Sequence, residues 1–232
     1  YIAARSTGID NIDVKACKKQ GVAIGNVPGY GQTTVAEYAI LLMLMLARKI
    51  PAMQEAIKLG HIPYKKLTGF TLHGKTLGVV GTGKIGMSVV AVAKAMGMHV
   101  VAHDPYPNND LAKQFSFSYV PIHELFRGSD IITLHTPLTP QTKHIINEKT
   151  LNLMPDHALI VNTARGELID TIALIRALQS KKIAGAALDV IEGERTLDVD
   201  IESELFLGNS KVAYEIAEVD ILSKMTNVIL SP

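Results

Sequence analysis

The chain has 232 residues, a formal net charge of +1, an apolar fraction of 47% and a charged fraction of 19%. These are the values of a globular protein with one large domain, or one domain and part of another. They leave no basic footprint for nucleic acid and no polybasic signal for a membrane surface.

A single cysteine, Cys17, excludes a disulfide framework within the chain and points to a reducing compartment, hence the cytoplasm. Cys17 itself reads as a small buried hydrophobe. Residues 1–10 lack the charged start and apolar centre of a secretory leader. The longest apolar run, residues 38–47, is about half of what a membrane span needs. The chain opens without methionine, inside what reads as a strand, and is expected to be a piece of a longer protein.

Residues 1–5 read as a short strand, 13–20 as a helix stopped at Gly21, and 22–24 as a second strand. A Gly- and Pro-rich loop at 25–32 leads into a long helix from Thr34 to about Arg48, with Thr34 and Glu37 at capping-box spacing. That helix is apolar nearly all round, so burial on more than one side is expected: between domains, against a second subunit, or as a central core helix.

From residue 71 the pattern changes. Apolar runs at 76–80, 99–103, 131–135, 158–162 and 183–188 alternate with helical patterns at 84–96, 122–127 and 171–179. Such alternation implies parallel pairing with right-handed crossovers. The expected fold class is therefore α/β, a doubly wound parallel sheet over residues 71–232. Residues 197–220 read as an acidic, irregular insertion.

The segment LGVVGTGKIG at 77–86 reads as strand, tight turn and helix start. Gly81, Gly83 and Gly86 form G-x-G-x-x-G: the first permits the turn, the second lets backbone approach a pyrophosphate, and the third allows close helix–strand packing. Phosphates would sit over the free N–H groups of the helix that Lys84 and Ile85 open. Asp104 follows at the end of the second strand, where an acid meets the adenosine ribose hydroxyls. No arginine comes after it, only Pro105 and Tyr106. A 2′-phosphate would face an uncompensated carboxylate, so NAD is expected rather than NADP. A P-loop is the competing motif, but Ile85 stands where the magnesium-binding hydroxyl would be.

Two later segments, VNTARG at 161–166 and ALDVIEGE at 187–194, put Arg165 and the acid Glu194 at the ends of two expected strands. Glu192 is a nearby alternative acid. None of the eight histidines has metal-ligand spacing, and no metal is expected. His135 reads as a structural residue at a strand end.

Taken together, these segments resemble the D-isomer-specific 2-hydroxyacid dehydrogenases, above all their D-lactate dehydrogenase branch. The resemblance extends over nearly the whole chain: RSTGIDNID at 5–13, NVPGY at 26–30, VAE at 35–37, LHTP at 134–137 and HIIN at 144–147. It implies a Rossmann NAD domain at 71–232, interdomain and dimer-contact helices at 33–70, and the C-terminal part of a truncated flavodoxin-like substrate domain at 1–32. It also implies a homodimer. The resemblance makes Arg165 and Glu194 catalytic, with a general-acid histidine expected just after Pro232. Cofactor contacts carry over to Gly81, Gly83, Lys84, Ile85, Gly86, Asp104, Thr136, Pro137, Thr142, Thr163, Ala164, Arg165 and Asp189. The implied reaction is NAD-dependent interconversion of a small 2-oxo acid and its D-2-hydroxy acid, with pyruvate and D-lactate foremost. Phosphoglycerate, glyoxylate, hydroxyisocaproate or formate as substrate, or an NAD-sensing corepressor-like role, are the alternatives.

Overall fold

The structure, a computed structural model, describes residues 1–6, 8–9, 12–60, 62–193 and 210–231. Thr7, Asp10 and Asn11 of the early loop, the acid Glu194 and Pro232 lie outside the described residues.

The first thirty residues form a small unit. Strands β1 (Ile2–Ala3) and β2 (Ile24–Gly25) pair in parallel, joined through α1 (Val14–Lys19). Asp13 caps α1, its carboxylate accepting the Ala16 N–H at 2.8 Å. No residue of α1 is buried, and Cys17 is half-buried rather than enclosed. The reading of Cys17 as a core residue is therefore corrected. Its helix covers only a two-stranded sheet, beside a cleft lined by Ile2, Ile12, Cys17 and Val22.

Helix α2 (Gln32–Ala47) starts two residues before the expected capping box. Gly31 occupies the N-cap position with no side-chain bond. Thr34 and Glu37 lie within the helix on its exposed side, so neither can cap it. The all-apolar helix is buried by stacking against the sheet and a neighbouring helix: Ala39, Leu42, Met43 and Ala47 are almost completely enclosed, whereas Leu41 is exposed. Helices α3 (Ile50–Lys58) and α4 (Tyr64–Leu67) follow.

The rest of the chain winds around a seven-stranded parallel sheet, order β5-β4-β3-β6-β7-β8-β9. Its strands are β3 (Thr76–Val80), β4 (His99–His103), β5 (Ser118–Tyr119), β6 (Ile131–Leu134), β7 (Leu159–Asn162), β8 (Gly185–Leu188) and β9 (Val228–Leu230). This is the expected α/β doubly wound architecture. Side chains alternate between two cores, as a sheet covered on both faces requires. Leu77, Val79, Val100, Ala102, Ile131, Val161, Ala187 and Ile229 face the core of α2 and α5 (Lys84–Ala95). Val80, Ile132, Leu134, Ile160, Ala186, Leu188 and Val228 face the other. That second layer contains α7 (Ile122–Gly128), α8 (Glu148–Leu151) and α9 (Thr171–Gln179). Each fully buried Leu, Ile or Val stabilises the fold by about 1.5–3 kcal/mol.

Two further helices complete the layers. α6 (Asn109–Phe115) is capped by Asn108, which accepts the N–H groups of Asp110 and Leu111. The stretch expected to be irregular ends in a regular helix, α10 (Ser210–Ser223), packed on α9 and β9. Its buried Val212 and Leu222 supply the apolar face that the acidic composition obscures. Among the described residues, no helix is long and apolar enough to cross a membrane.

At the amino ends of the central strands β3, β6 and β7, Asp130 ties three strands together. It accepts Thr76 N–H at 2.8 Å, Lys75 Nζ at 3.2 Å and His157 Nε2 at 2.9 Å. Burial raises its pKa, but these three donors outweigh burial and hold it below the ordinary carboxylate value.

Candidate active site

Register explains how distant residues meet. Val80 lies opposite His103 and Leu134, Leu134 opposite Asn162, and Asn162 opposite Leu188. The next residue on each strand therefore sits on one edge of the sheet: Gly81, Asp104, His135, Thr163 and Asp189. All the strands run the same way, so this is the carboxyl edge. The chain order reverses between β3 and β6, which opens a crevice there. Four strand spacings, roughly 19 Å, separate Asp104 from Asp189.

The glycine turn lies at the centre of that edge. Gly81 has φ +94°, a left-handed conformation that favours glycine, and a Cβ there would also press on His135 O at 2.7 Å. A Cβ on Gly86 would strike Gly81 O, so the third glycine lets α5 pack on the turn. A Cβ on Gly83 would meet nothing within 4 Å. The open space above Gly83 lies at the N-terminus of α5, where Lys84 is exposed and Ile85 packs inward against the core. A pyrophosphate fits such a cradle, with backbone N–H groups as donors.

On the β4 side, Asp104 is held by three donors. Its Oδ2 accepts Thr82 N–H at 2.7 Å and Thr82 Oγ1 at 3.0 Å, and its Oδ1 accepts Tyr106 N–H at 2.9 Å. On the β6 side, Thr142 folds the 136–143 loop back on itself. Its hydroxyl donates to Pro137 O at 2.7 Å and accepts Thr139 N–H at 2.8 Å. Thr136 and Pro137 are thereby fixed beside the turn. His135 bonds Thr133 Oγ1 through Nε2 at 2.9 Å, and burial pushes its pKa down to about 4. It is a neutral packing residue, in keeping with its expected structural role.

The arginine loop follows β7. Asn162 is fully buried and spans this loop with both ends of its amide. Its Nδ2 donates to Arg165 O at 2.8 Å, and its Oδ1 accepts Ala164 N–H at 3.1 Å. Arg165 Nη1 donates to Ala164 O at 2.6 Å. Thr163 is buried, and its Oγ1 makes no hydrogen bond among the described residues. A buried hydroxyl without a protein partner is costly; a cofactor amide or hydroxyl beside β7 would satisfy it. Asn162 was not among the expected site residues, although Asn three positions before an Arg is a readable sign of such a loop.

Gly166 packs so closely that a Cβ would strike the Ile191 carbonyl. His144, held at φ +51°, donates its N–H to Glu167 O at 2.9 Å and pairs with Glu192 Oε1 at 2.8 Å. Glu192 is thus engaged with His144. Asp189 accepts Ser231 Oγ at 2.9 Å and donates its own N–H to Asn162 O. Helix α10 brings Glu215 and Glu218 beside this turn. Burial, and then the charges of Glu192, Glu215 and Asp170, raise the Glu218 pKa.

The described sites of the cofactor cradle and the arginine loop therefore share one edge. Residues 40–232 match the family described as D-isomer specific 2-hydroxyacid dehydrogenase, NAD binding domain. The chain belongs to the D-isomer-specific 2-hydroxyacid dehydrogenase family. Its cofactor is NAD, and the open cradle at Gly83 and the unsatisfied Thr163 hydroxyl fit that group.

Within this family, the chain is 43% identical over 197 residues to a D-lactate dehydrogenase of Escherichia coli, covering 85% of this chain and 60% of that protein. It is 46% identical over 198 residues to a D-3-phosphoglycerate dehydrogenase of Methanocaldococcus jannaschii, covering 85% of this chain and 38% of the other. A solved D-lactate dehydrogenase from Aquifex aeolicus, complexed with NAD and lactic acid, superposes with a TM-score of 0.85 at 36% identity. That match covers 100% of this chain and 68% of the other. The chain spans less than two thirds of the length of these two curated relatives.

Proposed function

We propose that the protein interconverts a small 2-oxo acid and its D-2-hydroxy acid with NAD, most simply pyruvate and D-lactate. The observation that carries this reading is Arg165 held by Asn162 on the same sheet edge as the glycine turn. A guanidinium there grips a substrate carboxylate through its planar fork and polarises the adjacent carbonyl. A nicotinamide held at this edge would supply the hydride for the carbonyl carbon. The developing alkoxide needs a proton, which the family resemblance assigns to a histidine beyond Pro232 with Glu194 as its carboxylate partner. Thr163, Ala164 and Asp189 line the nicotinamide end, and Asp104 the ribose end.

The relatives named D-lactate dehydrogenase and the neighbour complexed with lactic acid support pyruvate. The relative named D-3-phosphoglycerate dehydrogenase keeps a phosphorylated acid as the second reading. A division at residues 32 and 70, a cytoplasmic location and a homodimer belong to the same proposal. Exposed Leu41, Ile57 and Leu59 on and after the helices at 33–70 offer apolar surface for a second copy.

The intact protein assayed with NADH against pyruvate, glyoxylate, 2-oxoisocaproate and 3-phosphohydroxypyruvate tests this. A kcat/KM highest for pyruvate is expected. Turnover highest with the phosphorylated acid would replace the substrate, and turnover with none of them would refute the enzymatic reading.

A further inference from the structure

Asp104 is oriented by a hydrogen-bond chain that begins on the edge strand β5. Tyr119 OH lies 3.2 Å from Asn108 N and 2.8 Å from Thr82 Oγ1, and Thr82 Oγ1 lies 3.0 Å from Asp104 Oδ2. The direction of this chain follows from the donors available. Asn108 N–H can only donate, so the Tyr119 oxygen accepts it. An ionised carboxylate can only accept, so the Thr82 hydroxyl hydrogen goes to Asp104. Thr82 Oγ1 must then accept the Tyr119 hydrogen. The relay runs one way: Asn108 N–H, Tyr119 O–H, Thr82 O–H, Asp104.

Both ends of the relay are anchored. Asn108 is fixed as the cap of α6. The Tyr119 ring is held edge-on by Phe117, centroids 5.1 Å apart at 68°. A carboxylate has about four acceptor positions. Thr82 N–H, Thr82 Oγ1 and Tyr106 N–H take three of them. By count, roughly one remains, on Oδ1, for a ribose hydroxyl.

We propose that Tyr119 is a positioning residue that sets the preference for NAD over NADP. It polarises the Thr82 hydroxyl and keeps the Asp104 carboxylate from turning aside. A 2′-hydroxyl then finds a fixed acceptor, and a 2′-phosphate meets a fixed negative charge that cannot swing away. With the relay cut, Asp104 gains freedom, which weakens the first ligand and relieves the second. The inference rests on NAD binding at this cleft and adds to it a residue that acts through Thr82 and Asp104.

Calorimetric titration of the 232-residue chain with NADH and with NADPH tests it, on wild type, Tyr119→Phe, Thr82→Val and the double variant. For Tyr119→Phe, NADH is expected to bind about three- to tenfold more weakly, with NADPH affected less or bound better, so the NADH/NADPH preference falls. Thr82→Val should shift the preference the same way. The double variant should be no worse than Thr82→Val alone, because both cut one chain. An unchanged preference in Tyr119→Phe, or additive losses in the double variant, overturns the proposal. If Tyr119→Phe does not fold, the preference of Thr82→Val decides, and no shift there overturns it too. Wild type that fails to bind NADH overturns the NAD reading along with it, whereas wild type that binds while the variants keep its preference overturns this inference alone.

Discussion

His144 Nε2 lies 2.8 Å from Glu192 Oε1, and this pair joins the loop after β6 to the turn after β8. The same histidine donates its backbone N–H to Glu167 O, just past the arginine loop. Three segments that lie far apart in sequence are laced together beneath Arg165. Both side chains are about one third exposed, so the pair is worth no more than about 1 kcal/mol. His144→Ala should therefore lower Tm by about 2–4 °C. Glu192→Gln, which keeps an acceptor, should lower it less than Glu192→Ala. Scanning calorimetry checks both, and Tm values that do not move would show that the lacing is carried by the backbone alone.

The three glycines of the turn have separable duties. Gly83→Ala adds a methyl where nothing lies within 4 Å, at φ −64°, so folding and Tm should be unchanged. The methyl fills the cradle instead, and NADH affinity should fall by about tenfold or more. Gly86→Ala drives a methyl into Gly81 O, so it should cost both Tm and affinity. Thermal melts beside NADH titrations of the two variants make the comparison. A Gly83→Ala protein that binds NADH normally would remove the pyrophosphate from this cradle.

Partly buried His135 predicts an acid-side loss of stability. Its folded pKa is depressed from 6.5 to about 4 by burial. The unfolded chain takes up a proton near pH 6.5 that the folded chain refuses until about pH 4. Stability is complete above the first value and falls between the two, by about 3 kcal/mol in all. His135→Asn should flatten this limb of a urea-unfolding series at pH 7, 6, 5 and 4. Parallel curves for wild type and variant would mean that the imidazole is solvated.

Replacing Arg165 tests the proposed chemistry directly. Lysine keeps the charge but loses the planar fork, so Arg165→Lys in the intact protein should lose about 100-fold or more in kcat/KM. NADH affinity should change far less. Stopped-flow binding together with steady-state rates separates the two effects, and near-wild-type turnover would take Arg165 out of the mechanism.

Much of this was legible in the sequence. The strands at 76–80 and 99–103 and the helix at 171–179 fall where apolar period and Gly or Asp punctuation place them. Buried strands with helices between them leave the strongest pattern a sequence can carry. Strands β5 and β9 went unread: they are two and three residues long, and Ser118–Tyr119 carries no apolar run. Helices α6 and α8 are short, although their caps Asn108 and Asn147 were readable signals. The glycine turn and Asp104 were read from their motif, and Thr163 and Asp189 came only through the family resemblance; register gives the physical reason that all four share one edge. The roles of Tyr119 and His144 depend on partners remote in sequence, which no local pattern reports, whereas Asn162 bonds within its own loop and carried a local signal.

Helix α2 lies across β7, β8 and β9, strands that come much later in the chain. Leu42, Met43 and Leu46 are not fully buried until those later strands have joined the sheet. Helix α5 can cover part of this apolar segment early, but the contacts with β7, β8 and β9 must close over a long stretch of chain. The packing that secures the finished sheet thus ties its assembly to long-range closure, so refolding yield should respond more to substitutions in this helix than to those in the site it helps support.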